Sequence, residues 1–122
     1  MADSVLDPEA IENLRSLNPG DNDEFLREIV AIFLDDTPLR VAELDESLAA
    51  GDAAKFTRAA HSIKGSSANL GANGLRAAAE SLEHHSRTHG LGDVATLIAG
   101  VKHEFARAQI ALNKLVGKKD AS

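Results

Sequence analysis

The chain has 122 residues, 43% hydrophobic but only 3% aromatic, with no Cys, Trp or Tyr. That is one domain with an aliphatic core, and it excludes disulfides, thiolate metal sites and cysteine nucleophiles. A formal net charge of −6, from 19 acidic and 13 basic residues, argues against a general nucleic-acid binder, and no apolar run is long enough to span a membrane. Such a core suits helix-on-helix packing better than a sheet rich in β-branched and aromatic residues. Met1-Ala2-Asp3-Ser4 lacks the basic and apolar regions of a signal peptide, so a cytoplasmic protein is expected.

Asp7-Pro8-Glu9 opens a short helix over about 8–17: a capping carboxylate precedes a proline at the first helical position. This segment is too short to be stable alone and must lie on something larger. A second helix is predicted over about 22–50, with Leu26, Val30, Phe33, Val41, Leu44 and Leu48 near one stripe. Pro38 lies inside it, so a kink or break is expected near Asp36-Thr37, or a new helix capped by Thr37. Gly51 stops this helix and Asp52 caps a third, over 52–69, whose seam is Ala53, Phe56, Ala60, Ile63, Ser67 and Leu70. The glycines and asparagines of residues 69–74 form a turn before a fourth helix, 73–87, with Leu75, Ala78, Ala79 and Leu82 inward. A last helix over 93–116 follows, then a polar tail, 117–122. Four long amphipathic helices with short connections predict an all-α, antiparallel up-down-up-down bundle with an added N-terminal helix.

The third helix carries the chemistry. His61, Lys64 and Gly65 share one side, because residues three and four apart are neighbours on a helix surface. Around the imidazole lie Ala54, Thr57 and Ala68, all small, with Arg58 at the edge as a second cation. A neutral imidazole is a competent nucleophile toward phosphorus, and a nearby ammonium stabilises the resulting anionic product. A mid-helix glycine costs roughly 1 kcal/mol relative to Ala. Gly65 therefore either clears a path to His61 or lets two helices pack closely. On geometry alone, His61 also fits an ordinary surface histidine.

Other constellations are weaker. No phosphate-binding P-loop, Rossmann fingerprint or G-x-S-x-G elbow is present, so the chain should not use nucleotide independently. His85 and His89 have the i, i+4 spacing of a helical metal pair, as do Glu80 and His84, but no complete ligand set accompanies them. Solvated or loop-capping histidines are the better reading. Asp35-Asp36 reads as a solvated helix end, and Lys118-Lys119 is too short for a nucleic-acid patch.

The run His61-Ser62-Ile63-Lys64-Gly65-Ser66-Ser67-Ala68-Asn69-Leu70-Gly71-Ala72 closely resembles the signature of histidine-containing phosphotransfer (HPt) domains. The resemblance extends upstream through Phe33-Leu34, Pro38, Ala49-Ala50-Gly51-Asp52 and Arg58-Ala59-Ala60. Downstream it takes in Leu75 and Ala79-Glu80-Ser81-Leu82-Glu83. It implies that His61 is the phosphoacceptor through its solvent-facing ring nitrogen, Lys64 the phosphate-stabilising cation and Gly65 the access residue. It implies further a carrier without kinase activity, exchanging phosphoryl groups with aspartyl phosphates on response-regulator receiver domains or with a hybrid sensor histidine kinase. The receiver would supply the acidic pocket and Mg²⁺, so no cofactor is expected here. Receivers would dock on an apolar rim around a polar centre, for which Ile11 or Leu14 on the first helix and Phe33 on the second are candidates, beside Arg58, Thr57 and Ala68. The expectation is a monomer; Met1 and the polar tail suggest a free-standing protein rather than a domain of a larger kinase. The rival function is a non-catalytic interaction or inhibitor module binding the same partners.

Overall fold

A computed structural model of the chain describes residues 5–117, so the expectations for Met1–Ser4, for Lys118-Lys119 and for most of the polar tail lie outside the described residues. Five helices form: α1 (Pro8–Ser16), α2 (Glu24–Ala50), α3 (Ala53–Asn69), α4 (Asn73–His89) and α5 (Ala95–Leu115), with no strand among the described residues. Each of α2 to α5 packs on the next and α5 returns to α2, closing a four-helix bundle on which α1 lies against α2. The most extensive pairing is between α3 and α4.

Local chemistry sets the boundaries. Asp7 caps α1 by accepting the Glu9 N–H at 3.0 Å, with Pro8 at the first helical position. Asp52 caps α3 by accepting the Lys55 N–H at 3.1 Å. At the start of α2 the capping carboxylate is Asp21, whose Oδ2 accepts from Phe25 N at 2.9 Å, while Asp23 itself adopts a left-handed backbone. Gly51 ends α2 in the left-handed region, φ 72°, which glycine enters without the Cβ penalty.

The core is aliphatic, as the composition requires: Leu26, Val30, Leu44, Ile63, Leu70, Leu75, Leu82, Val101 and Leu112 are buried around Phe56. Phe33 of α2 meets Phe105 of α5 with ring centres 5.9 Å apart, tilted by 51°, where the bundle closes on itself.

Two expectations are corrected here. Of the alternatives at Pro38, the break and the new helix capped by Thr37 are absent: α2 runs as one helix from Glu24 to Ala50 with Pro38 inside it. Pro38 stands on the exposed side, while buried Phe33, Thr37 and Leu44 hold the flanking turns to the core. Thr37, a possible cap in the sequence, is a mid-helix core residue with 1% exposure. The second correction concerns docking. Ile11 and Phe33 are each only 3% exposed and Leu14 packs partly buried against the core, because the first helix uses its apolar side to attach itself to the bundle.

The turn between α3 and α4 also anchors α1. Asp7 N donates to Gly71 O at 2.8 Å, and Gly71 has φ 67°. A Cβ at Gly71 would lie 2.7 Å from Asp7 Cβ and 2.8 Å from Ala10 Cβ, whereas one at Gly51 would meet nothing within 4 Å. Gly51→Ala should therefore cost only the left-handed backbone term, about 1 kcal/mol. Gly71→Ala should cost about 2–4 kcal/mol, because it adds a collision with α1. Urea unfolding of the two variants checks this; equal losses would show that the turn is not packed against α1.

Candidate functional site

His61 stands on the middle of α3 with its side chain 62% exposed. Its Nδ1 lies 2.9 Å from Oε2 of Glu83 on α4. The Glu83 side chain is only 3% exposed, yet it gathers three partners: His61, Lys64 Nζ at 2.7 Å on Oε1, and Arg87 Nη2 at 2.9 Å on Oε2. An isolated buried carboxylate would be strongly disfavoured, so this convergence is what makes Glu83 tolerable.

Burial acts to raise the Glu83 pKa. The hydrogen bonds from Lys64 and then His61, with the charges of Lys64 and Arg87, more than offset it and hold the carboxyl below its ordinary value of 4.5. Glu83 is therefore ionised at neutral pH and can only accept hydrogen bonds. The proton between the two side chains then belongs to His61 Nδ1. In the neutral ring this contact fixes the tautomer: Nε2, on the other side of the ring, carries the lone pair and is directed away from the carboxylate. With His61 neutral, Lys64 and Arg87 against Glu83 leave the cluster one positive charge in excess.

Around this cluster the α3 surface is low. Gly65 is exposed, and a Cβ built there meets nothing within 4 Å, so close helix packing does not account for the glycine. Ala54 and Ala68 are exposed as well. Thr57 turns its hydroxyl inward to Ser86 Oγ at 2.7 Å, tying α3 to α4 one turn from the imidazole. His61 lies in an open depression of about 440 Å³, lined also by Ala54, Thr57, Arg58, Ser62 and Arg87.

Glu83 and Arg87 were not among the residues singled out from the sequence. The signal was present for Glu83. It lies four residues after Ala79 and eight after Leu75, on the buried stripe of α4 that also holds Leu82 and Ser86. A carboxylate at a core position implies partners of opposite charge. The histidine pair outside the site does something else: His85 bonds through Nε2 to Gly92 O at 2.9 Å and stacks on His89, ring centres 4.9 Å apart. No group of three or more metal-ligating side chains occurs among the described residues.

A helical bundle with an exposed imidazole on α3, bonded through Nδ1 to a buried carboxylate and bordered by small residues, has the architecture of a phosphotransfer carrier of two-component signalling. The Hpt domain family model matches residues 28–111, and the chain belongs to that family. Histidine-containing phosphotransfer protein B (HptB) from Pseudomonas aeruginosa PAO1 is 28% identical, with a TM-score of 0.85 over 98% of this chain and 100% of that one. The HPT domain of the Hpt sensor hybrid histidine kinase from Shewanella shares the fold at 18% identity, with a TM-score of 0.71 over 96% of this chain and 97% of that one. The comparison with curated proteins yields no match. Hpt domains work with receiver domains and histidine kinases in phosphorelays. No helix among the described residues is long and apolar enough to cross a membrane.

The ionised Glu83 has a consequence in solution. A group whose folded pKa is lowered contributes stability that is present above its ordinary value and is lost as pH falls through the folded value. Glu83→Gln should be less stable than wild type at pH 7 by about 1 kcal/mol. The difference should begin to shrink below about pH 4.5, where the unfolded chain takes up the proton, and should vanish only once pH has fallen through the lowered folded value. Denaturant unfolding of both proteins from pH 7 to pH 3 measures this, and a difference independent of pH would rule out a carboxylate stabilised by its three partners.

Proposed function

We propose that His61 Nε2 is the phosphoacceptor of a multistep phosphorelay, taking the phosphoryl group from a receiver-domain aspartyl phosphate and passing it to another receiver. The observation that supports this most directly is the 2.9 Å contact between His61 Nδ1 and buried Glu83. In the neutral ring it leaves the Nε2 lone pair on the side away from Glu83, free to act as the nucleophile.

The step balances without a proton transfer. The Nε2 lone pair attacks phosphorus, the acyl-phosphate P–O bond breaks, and its electron pair leaves on the receiver's carboxylate. The ring then carries a phosphoryl group on Nε2 and its original proton on Nδ1, so positive charge develops on the imidazole. Glu83, already hydrogen-bonded to that proton, is placed to stabilise it, as a carboxylate does for a catalytic imidazolium. Lys64 keeps Glu83 ionised and contributes to the excess positive charge that favours the phosphoryl product. Phosphoryl transfer of this kind depends mainly on positioning and electrostatics, and the Mg²⁺ it requires would come with the receiver. We read the chain as a carrier without kinase activity.

The docking face we assign uses different apolar residues from those expected. Ile32 and Leu39, 63% and 58% exposed, stand seven residues apart on α2 and therefore on one stripe. Leu39 adjoins Arg40, which shares a depression with Arg58 and Ser62 of α3, so this stretch of α2 flanks His61. An apolar strip beside a polar centre fits a small transient interface.

Incubation with a phosphorylated receiver should place acid-labile, alkali-stable label on the wild type and none on His61→Gln. A folded wild type that takes no label from any receiver would favour the interaction-module reading instead. Replacing Gly65 by Ala should stabilise the fold by about 0.5–1 kcal/mol, since the added methyl meets open space. Gly65→Gln should instead slow transfer by roughly tenfold by obstructing the approach to Nε2; stopped-flow transfer kinetics at wild-type rate would remove Gly65 from the site. Ile32→Ser with Leu39→Ser should weaken receiver binding while leaving the melting temperature unchanged, and unaltered transfer rates would exclude this face.

A further inference from the structure

We propose that Arg58 is the cation that meets the transferring phosphoryl group at His61, while Lys64 and Arg87 stay with Glu83. This rests on the reading of His61 as the acceptor and assigns the contact to the phosphoryl oxygens.

Three cations surround His61, and two of them are engaged. Lys64 and Arg87 bind the two oxygens of Glu83 at 2.7 and 2.9 Å, and Glu83 is buried. A phosphoryl dianion that drew either cation away would leave a buried carboxylate short of a partner, which offsets much of the gain. Arg58 carries no such obligation. It is exposed, and among the described lysines and arginines only Arg58 and Lys114 make neither a hydrogen bond nor an ion pair through the side chain. Lys114 belongs to the last turn of α5, whereas Arg58 precedes His61 by three residues on α3.

The i, i+3 spacing puts Arg58 and His61 on one side of the helix, and both line the same depression of about 440 Å³. Next to it lies a second depression of about 260 Å³, which Arg58 lines together with Arg40 and Lys55. Those two cations are occupied as well: Arg40 pairs with Asp36 and Glu43, and Lys55 with Glu46. Arg58 is therefore the group that can receive an anion at His61 without breaking an existing pair. Its planar guanidinium offers two parallel N–H donors to phosphoryl oxygens, a geometry an ammonium lacks. As the Nε2–P bond forms and the P–O bond to the leaving carboxylate breaks, the three phosphoryl oxygens retain their charge, and Arg58 donates to them. No proton changes place.

The test separates the phosphoryl group from the partner that delivers it. Wild type, Arg58→Gln, Arg58→Lys and, as a distant unpaired control, Lys114→Gln are labelled in two ways: with phosphoramidate, which involves no partner, and with a phosphorylated receiver domain. Arg58→Gln should lower the labelling rate of His61 by about tenfold or more with both donors, Arg58→Lys should recover part of it, and Lys114→Gln should match wild type. The ³¹P resonance of the phosphohistidine should shift in Arg58→Gln, and the melting temperature should not. Labelling of Arg58→Gln by phosphoramidate at the wild-type rate overturns the proposal, whether or not the receiver reaction is slowed, because Arg58 would then act on docking or not at all. If wild type takes no label at His61 from either donor, the acceptor assignment itself fails and Arg58 with it.

Discussion

A carboxylate buried between two helices is the constraint on which the site depends. Glu83 cannot be carried at a 3% exposed position without compensation, and each group that compensates it acquires a defined place. His61 is oriented by its Nδ1, Lys64 is drawn along α3 toward α4, and Arg87 folds back one turn along its own helix. The proposed nucleophile is thus oriented by a structural necessity of the core. Its ring is held in one orientation before any partner arrives, and such preorganisation is the condition under which electrostatic stabilisation costs no reorganisation.

The bundle around this pair of helices serves chiefly to hold their separation. Thr57 and Ser86 join hydroxyls across α3 and α4 at 2.7 Å, and Phe56, Ile63 and Leu82 fill the space beneath. The left-handed Gly71 turn sets where α4 begins and is itself fastened to the start of α1 through the Asp7–Gly71 hydrogen bond. The short first helix, too small to stand alone, thereby contributes twice. Its Ile11 seals the core, and its N-terminus braces the turn that aligns the two functional helices.

Much of this was legible in the residues. Aliphatic composition and three-to-four spacing gave the helices, Asp7, Asp52 and Gly51 gave boundaries, and His61, Lys64 and Gly65 fell on one side of α3. What was not legible required the third dimension. Pro38 argued for a kink or a break because local chemistry disfavours proline in a helix; the break does not occur, since Phe33, Thr37 and Leu44 on either side are buried and tertiary packing carries the helix through. Ile11 and Phe33 were assigned to a docking rim because apolar residues near a site suit one, yet the same residues were needed to attach α1 and close the bundle. Glu83 entered the sequence reading only as part of the downstream match, with no role; its register with Leu75, Ala79 and Leu82 is what marks it as inward.

The cluster around Glu83 is also short-range along the chain. His61 and Glu83 are 22 residues apart in sequence, and every charged group of the cluster belongs to one helix–turn–helix segment whose connection is three residues long, Leu70 to Ala72. Closing so small a loop sacrifices little chain entropy, and the register of the two helices is fixed by the turn between them. The His61–Glu83 cluster is therefore a property of a hairpin, with the first, second and last helices as its mounting.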